Sequence, residues 1–389
     1  MSPRPSLLCL CGSRSILALT LTLVLSAVAW SQQIPCPVTT ALSNSSITFN
    51  TLSPCNINAP LTNKSGGSIV NSGTLLNFGF FNNDSGALIF NVATFANNAG
   101  GTLDNNAGGT LINNGGTFNN SSGATLNNSG TLTNVANTAT LNNSGTLNNS
   151  GTLTNDGTTL NNSGTLNNSG TLTNSGILNV MAGGTLNNLL GSTYQGFGST
   201  IVNGTLNSVP ALQMQGVLSG AGTINGNVIM SGVIAPGNEP ARPGIMTING
   251  NYTQLGPSAL FGQSVFFDEI GGLVPGTQYD EVIINGAASI DGTLEVVFFN
   301  GFTASVGDSF IVMTYDSETG AFETLELPPL TGDENWNISY GADDITLSVA
   351  APEPSALLLL GAGLLIVALF SRRNREIEHR AGTDGRLSY

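Results

Sequence analysis

Side chains able to carry out nucleophilic, acid–base or metal chemistry are few in the central part of the chain. The single histidine, His379, lies close to the C-terminus. Between Trp30 and Pro354 two basic side chains, Lys64 and Arg242, stand against twenty carboxylates, which gives a net charge of −18. Without histidine, this stretch cannot form a Ser-His-Asp or Cys-His site or a His-containing metal site. Its shortage of Lys and Arg excludes nucleic-acid binding, which requires them to displace phosphate counterions.

The carboxylates include adjacent pairs, which raise two chemical possibilities: Asp268-Glu269, Asp280-Glu281, Asp333-Glu334 and Asp343-Asp344. Calcium takes six to eight oxygen ligands, but no Asp-x-Asp-x-Asp-Gly loop is present, so solvated turns are the better interpretation. Two carboxylates also serve glycoside hydrolysis. Lyase chemistry on polysaccharides usually recruits Lys or Arg, which are scarce here. We therefore expect no metal, no cofactor and no enzymatic activity; a polysaccharide-active enzyme is the alternative.

The elements that would position any site come from an internal repeat. Residues 141–159 and 160–178 are identical at sixteen of nineteen positions. Each copy contains three units of about six residues, Leu-Asn-Asn-Ser-Gly-Thr, and looser versions extend in both directions. Gly, Asn, Ser and Thr dominate, and the apolar residues do not follow a 3.6-residue period, so a helix is excluded.

A six-residue unit with one aliphatic residue predicts one side of a solenoid. Leu lies inward on a short strand with its neighbours outward, and Asn-Ser-Gly forms the corner, where Gly and Asn tolerate positive φ. Three sides close a coil of about 19 residues, and coils stack about 4.8 Å apart. Leu147 then lies beneath Leu166. One isolated coil cannot offset its ordering entropy, so many copies are needed.

The outer surface of this rod is predicted to be polar and almost uncharged. From residue 65 to residue 235 the only charged side chains are Asp84, Asp104 and Asp156. Stacked Asn side chains at equivalent positions can form hydrogen-bonded ladders. The pairs Thr131/Thr133, Thr152/Thr154 and Thr171/Thr173 raise a further possibility, a threonine array like those of ice-binding solenoids.

The N-terminus predicts export. Arg4 and Arg14 precede an apolar stretch, and the small residues Ala27 and Ala29 offer a signal-peptidase site before Trp30. This pattern predicts a signal peptide over residues 1–29, with an N-terminal membrane helix as the alternative.

Two cysteines remain after the signal peptide, Cys36 and Cys55, 19 positions apart. In an exported protein such a pair predicts one disulfide rather than two unlinked thiols. A loop of this size contributes roughly 3 kcal/mol. We place the bridge in an N-terminal cap, residues 30–60.

At the other terminus, an apolar run at 356–370 is followed by clustered arginines, as in a membrane segment whose basic end stays in the cytoplasm. The run is short against the ~20 residues of a stable span. The signal residues are Pro352, Glu353 and Pro354 before it and Arg372, Arg373 and Arg375 after it. An ordinary C-terminal membrane anchor is the alternative.

The order Pro-Glu-Pro, apolar segment, arginine cluster resembles the PEP-CTERM sorting signal of Gram-negative bacteria. The resemblance covers residues 351–389 and implies processing by a membrane protease, the exosortase, near Pro-Glu-Pro. It also implies transient anchoring in the inner membrane, followed by release to the cell surface or extracellular matrix. Unlike most members, this chain continues past the arginines to Tyr389.

The 19-residue coil resembles the repeats of filamentous haemagglutinin and autotransporter passengers, which are right-handed parallel β-helices. The resemblance implies an all-β fold, with the repeat solenoid at 61–235 and a C-terminal β cap region at 236–350. Left-handed hexapeptide helices share the spacing, but the insertions here favour the right-handed form. Unlike in autotransporters, we expect the Pro-Glu-Pro signal in place of an outer-membrane barrel. We expect a structural, adhesin-like surface or matrix protein associated with exopolysaccharide or biofilm.

Overall fold

The repeat folds as predicted into short strands separated by tight corners. The computed structural model describes residues 36–44, 47–49, 54–238, 242–256, 264–352 and 364–373. In the regular part, Thr-Leu-Asn-Asn forms a four-residue strand and Ser-Gly forms the corner. Residues 364–373 form an exposed helix.

The first thirty strands have these bounds: β1 Leu42–Asn44, β2 Ile47–Phe49, β3 Cys55–Ile57, β4 Leu61–Asn63, β5 Ser68–Asn71, β6 Thr74–Asn77, β7 Phe80–Asn83, β8 Leu88–Asn91, β9 Thr94–Asn97, β10 Thr102–Asn105, β11 Thr110–Asn114, β12 Thr117–Asn120, β13 Thr125–Asn128, β14 Thr131–Val135, β15 Thr140–Asn143, β16 Thr146–Asn149, β17 Thr152–Asp156, β18 Thr159–Asn162, β19 Thr165–Asn168, β20 Thr171–Asn174, β21 Ile177–Val180, β22 Thr185–Asn188, β23 Thr193–Gly196, β24 Ser199–Val202, β25 Thr205–Ser208, β26 Leu212–Met214, β27 Val217–Gly220, β28 Thr223–Asn225, β29 Val228–Met230 and β30 Val233–Pro236.

The remaining strands are β31 Ile245–Asn249, β32 Tyr252–Gln254, β33 Val265–Ile270, β34 Glu281–Ile284, β35 Ala287–Ile290, β36 Thr293–Phe298, β37 Ser309–Thr314, β38 Ser317–Gly320, β39 Thr324–Glu326, β40 Asn335–Tyr340 and β41 Asp344–Ala350.

Along the solenoid, each strand pairs in parallel with the strand three positions further along the chain. This pairing gives three long sheets around one core. Among the described residues, sheet 1 has fifteen strands and begins β1-β4-β7. Sheet 2 has thirteen and begins β2-β5-β8, and sheet 3 has thirteen and begins β3-β6-β9. This is the predicted parallel β-solenoid. The parallel pairing starts before residue 61 and continues past residue 235 to β38 and β39.

Sheet 1 ends differently from the other two sheets. Strand β41 pairs antiparallel with both β37 and β40. Trp336 of β40 packs against Phe298 and Phe310, with ring centroids 6.0 and 6.2 Å apart. This antiparallel pair forms the C-terminal cap of the core; it covers the edge of β37, and β40 becomes the last strand of sheet 1.

The predicted register is confirmed in the two central copies. Leu141 pairs with Leu160, and Leu147 pairs with Leu166. The 19-residue coil holds there, but partners on successive coils elsewhere are up to 36 residues apart, as between Asn249 and Asn285.

The glycines of the Asn-Ser-Gly corners do not have the positive φ that we expected, whereas Gly66, Gly86 and Gly123, which also follow a serine, do. A Cβ at Gly151 would lie 2.1 Å from the Gly130 carbonyl oxygen, and one at Gly170 would lie 2.1 Å from that of Gly151, while neither residue has positive φ. The expectation was therefore wrong about the cause. Successive coils stack so closely at this corner that only a residue without a side chain fits.

The core contains asparagine as well as leucine, which the sequence interpretation missed. In β16, Leu147 is fully buried and Asn149 is 1% exposed, whereas Thr146 and Asn148 are half-buried. The second Asn of each Thr-Leu-Asn-Asn strand thus faces inward with the Leu, as the two-residue period of a strand requires.

These buried asparagines form a ladder in each sheet. The Asn149 Nδ2 donates to Asn168 Oδ1 at 2.8 Å and to the Thr171 carbonyl at 2.9 Å, and Asn149 Oδ1 accepts from Asn128 Nδ2 at 2.7 Å. The amide therefore satisfies its own hydrogen-bonding groups and also the carbonyl of Thr171, the first residue of β20 on the next coil. Burial of this polar group is tolerated because it is hydrogen-bonded.

The predicted disulfide is present. Cys36 is bonded to Cys55, which is fully buried at the start of β3. Val38 forms a parallel bridge with Ile57, so the cross-linked segment lies over the first coil. Closing this loop favours the folded N-terminal end by roughly 3 kcal/mol in the chain-entropy view.

Candidate functional site

The outward-facing asparagines of sheet 1 form a continuous row, which we call the long column. It arises because the first Asn of each Thr-Leu-Asn-Asn strand faces solvent while the second faces the core. The long column consists of Asp104, Asn127, Asn148, Asn167, Asn187, Asn207, Asn225, Asn249 and Asn285. Each residue stacks on the equivalent residue of the preceding coil, so the row follows the rod axis.

Hydrogen bonds fix the orientation of the long column. Each Asn Nδ2 donates to the side-chain oxygen of the preceding coil, at 2.6 to 2.9 Å, and the row ends on the Asp104 carboxylate. A side-chain amide has two N–H donors and an oxygen with two lone pairs. Each interior member therefore retains one donor and one lone pair toward solvent, repeated about every 4.8 Å.

A second row, the short column, lies on sheet 3. It consists of Asn119, Asn142, Asn161 and Asn179, joined at 2.7 to 2.9 Å. Beside it lies an open groove of about 690 Å³ whose lining includes Ser121, Ser144 and Ser163. The Ser163 and Ser144 hydroxyls are 3.0 Å apart. Ala96 and Met181 add apolar surface to this groove, and none of the described residues that line it is charged.

The threonine pairs stack on sheet 2 as their spacing indicated. Thr133, Thr154 and Thr173 are successive partners, as are Thr131, Thr152 and Thr171. The column formed by Thr133, Thr154 and Thr173 is short. Ile112 occupies the equivalent position on the preceding coil, and Gln195 occupies it on the following coil. The stacked array therefore covers three coils.

The predicted carboxylate pairs do not share one environment. Asp343 is exposed and Asp344 is half-buried near the C-terminal end of the solenoid. Asp268 and Asp280 are fully buried. Asp280 accepts from the backbone N–H groups of Gly244 at 2.8 Å and Glu269 at 3.1 Å. The sequence could not reveal this burial, because acidic pairs are usually solvated.

Asp268 is the unusual group of this cluster. Within the described chain, neither of its side-chain oxygens has a hydrogen-bond partner. Burial raises the pKa of Asp268 well above its usual value, and the Asp280 carboxylate raises it further. The nearby Asp280 backbone N–H, which does not reach hydrogen-bonding geometry with either oxygen, offsets part of this rise, and Glu269 and Glu281 add smaller repulsions. In the described residues no group of three or more His, Cys, Asp or Glu side chains is arranged to hold a metal ion.

We expect Asp268→Asn to flatten the pH dependence of stability. Because the folded-state pKa of Asp268 is raised, the folded state binds more protons than the unfolded chain at intermediate pH. Stability should therefore fall as pH rises from about 4 through the folded pKa. At alkaline pH the variant should be about 1–3 kcal/mol more stable, since no buried carboxylate ionises. Thermal unfolding followed by circular dichroism from pH 4 to 9 measures this.

The matched control is Asp316→Asn, which changes an exposed carboxyl. It should track the unsubstituted protein at every pH. If the stability of Asp268→Asn also followed that of the unsubstituted protein at every pH, Asp268 would not be the group responsible for the pH dependence.

The processing residues lie mostly outside the described residues. Ala27, Ala29, Glu353, Pro354 and Arg375 are outside them, and the cleavage sites remain predictions. Pro352 is exposed directly after the cap, and Arg372 and Arg373 end the helix at 364–373.

The predicted membrane segment, 356–370, is described only from residue 364. Within the described ranges, we find no helix with the length and apolar character needed to cross a bilayer.

The fold and the C-terminal sequence together define the class of protein. This chain is a parallel β-solenoid followed by a short sorting segment. Residues 350–374 match the family of the PEP-CTERM protein-sorting motif. The chain therefore carries a PEP-CTERM motif, which implies an exosortase-sorted extracellular protein with a β-solenoid body. Comparison with curated proteins gives no match.

Proposed function

We propose that this protein is a structural, adhesin-like component of the cell surface or extracellular matrix that holds neutral exopolysaccharide, as in a biofilm. The observation that carries the proposal is the long column, an unbroken axial row of outward amides. Sugar hydroxyls both donate and accept hydrogen bonds, and each interior amide has one of each to offer. The C-terminal motif supports an extracellular location.

Multivalency explains how such a surface holds a polymer. A single exposed amide–hydroxyl contact contributes little beyond what water offers. Many contacts along one axis raise the overall avidity by orders of magnitude when their spacing permits simultaneous engagement. A rod with a repeat of about 4.8 Å provides such a series.

Because the regular coils carry almost no charge, they favour a neutral polymer over an acidic one. Asp84, Asp104 and Asp156 are the only charged side chains from residue 65 to residue 235. Acidic polysaccharides would find no cation there. We therefore propose neutral glycans as ligands.

We further propose that the protein is not an enzyme and that it has no cofactor. The chain between Trp30 and Pro354 has no histidine and two basic residues, which limits the available catalytic chemistry. The alternative is a polysaccharide-active enzyme, and release of new reducing ends from polysaccharide by the purified protein would favour it. Exosortase and signal peptidase are the proposed processing partners, and a Gram-negative inner membrane is the proposed transient location.

A triple variant of the long column tests the proposal. Asn127→Ala, Asn148→Ala and Asn167→Ala together should reduce retention of the purified protein on neutral polysaccharide at least tenfold, because three adjacent contacts are lost at once. Co-sedimentation with insoluble glucan and mannan measures retention. Deleting the gene should also weaken cell aggregation.

The matched control is Thr131→Ala, Thr133→Ala and Thr154→Ala, which alters the outward face of sheet 2 at neighbouring coils. It should retain polysaccharide as the unsubstituted protein does. Equal losses in both triple variants would contradict a role for the long column, and no retention by the unsubstituted protein would contradict the proposed function.

A further inference from the structure

Sheet 2 opens locally between β23 and β26. These strands share one Cα pair, Gly196 with Met214. On either side the pairing is complete: β23 pairs with β20 at four positions and β26 pairs with β29 at three. The opening is therefore a local interruption inside a continuous sheet.

The sequence departs from the repeat at this place. Gly196 occupies the position of the buried asparagine, so the sheet 2 ladder ends at Asn174 one coil earlier. A Cβ at Gly196 would lie 2.6 Å from the Met214 Sδ. Pro210, shortly before β26, brings no backbone N–H. In a chain that otherwise repeats its local rules, such a departure marks a candidate site.

The opening forms a cavity of about 290 Å³. Its lining includes Gln195, Gln213, Gln215, Phe197 and Tyr194, and no charged side chain. This volume lies at the lower end of the range of small-molecule sites. The cavity is therefore large enough for about one sugar ring and reaches from the surface toward the core.

The polar groups of the cavity are oriented for a ligand. Thr173 Oγ1 donates to Gln195 Oε1 at 3.2 Å, which leaves the Gln195 N–H groups for other acceptors. Gln213 and Gln215 are exposed on the next coil. Beneath them, the Tyr194 and Thr200 hydroxyls are 2.5 Å apart, and burial raises the pKa of Tyr194 to about 12. The floor thus stays neutral at any physiological pH.

An apolar surface completes the cavity. Phe197 is 48% exposed at its edge. The neighbouring segments present Leu190 and Val209, which are 81% and 66% exposed. An aromatic ring beside several amides suits a pyranose, whose C–H face is apolar and whose edge carries hydroxyls.

We propose that the cavity between β23 and β26 is a subsite for one neutral sugar unit of a polysaccharide. The inference rests on the proposed function and deepens it. The long column holds the polymer by repeated weak contacts, whereas the cavity binds a terminal or side-chain sugar. The amides of Gln195 and Gln213 bind hydroxyls and Phe197 covers the apolar face. The absence of a cation disfavours uronic acids.

Titration with short saccharides tests this subsite separately from polymer retention. The probes are neutral tetrasaccharides of glucose, mannose, galactose and N-acetylglucosamine, with tetragalacturonate as the acidic comparison. Binding to the purified full-length protein is followed by saturation-transfer NMR. We expect at least one neutral probe to bind at millimolar concentration and the acidic probe not to bind.

Variants locate the binding. Phe197→Ala and Gln213→Ala should each weaken binding at least tenfold without lowering the thermal midpoint. Phe80→Ala changes another exposed phenylalanine, 42% exposed on a distant coil, and should leave binding unchanged.

Three results would overturn the subsite. The first is that no neutral probe binds, and the second is that Phe197→Ala and Gln213→Ala bind saccharide as tightly as the unsubstituted protein. The third is self-association of the protein that Phe197→Ala abolishes, without any saccharide binding. If polymer retention persisted in any of these cases, the proposed function would stand. If the cavity bound saccharide but the protein did not retain polymer, the proposed function would fail and the subsite would remain.

Discussion

Replacing Asn149 by aspartate should open the rod at neutral pH, although the two side chains have nearly the same shape. Asn149 Nδ2 donates to Asn168 Oδ1 and to the Thr171 carbonyl. An ionised carboxylate cannot donate, so it would face two acceptors in a buried site. We expect the free energy of unfolding to fall by about 3–5 kcal/mol.

The same substitution one residue earlier provides the control. Asn148 is half-buried on the outer face, accepts from Asn167 and donates to Asn127. In Asn148→Asp the carboxylate keeps the first bond and remains hydrated, so the cost should be about 1 kcal/mol or less. Circular dichroism melts of the two variants measure the difference.

The effect of Asn149→Asp should depend on pH with a defined sign. Burial raises the pKa of the new carboxyl, and a protonated acid regains one donor. The gap to the unsubstituted protein should therefore narrow as pH falls. Equal stability of the Asn149→Asp and Asn148→Asp variants at neutral pH would show that the buried ladders do not hold the coils together.

The second large effect is expected when aspartate replaces the stacked leucines of the core. Leu147 and Leu166 are fully buried partners in β16 and β19. Aspartate at either position removes a core side chain and buries a carboxylate, which should cost about 5 kcal/mol or more. Because coils stabilise one another by stacking, the double variant should also expose the neighbouring coils.

Limited proteolysis and hydrogen exchange will show where the double variant opens. Leu190→Asp is the matched control, since Leu190 is 81% exposed, and it should leave the thermal midpoint almost unchanged. A double variant as heat-resistant as the unsubstituted protein would rule out a continuous leucine core.

The coil could be predicted from the sequence because the repeat shows its length and its corners directly. One aliphatic residue in about six positions, with Gly at each corner, leaves few ways to bury the leucines other than by stacking. The pairing of Leu147 with Leu166 therefore followed from the 19-residue offset alone. The Cys36–Cys55 bridge and the C-terminal motif were equally local signals.

The buried asparagines were missed for a physical reason. Two consecutive Asn residues look alike in composition, and an amide normally stays in water because its burial is costly. The cost is removed only when the next coil supplies an amide oxygen and a backbone carbonyl, as Asn168 and Thr171 do for Asn149. Both partners are about twenty residues away along the chain, so local sequence propensity cannot predict these hydrogen bonds.

The sequence by itself determined the 19-residue length of the two central coils, their inward leucines and the C-terminal sorting motif, because these depend on spacing within one coil or on a short contiguous motif. The tertiary structure alone decided which asparagines are buried, why Gly151 must be glycine, how Asp268 and Asp280 share a dry site, and where sheet 2 opens beside Gly196. Each of these depends on atoms from a neighbouring coil, and the distance between coils is fixed only when the whole stack has formed.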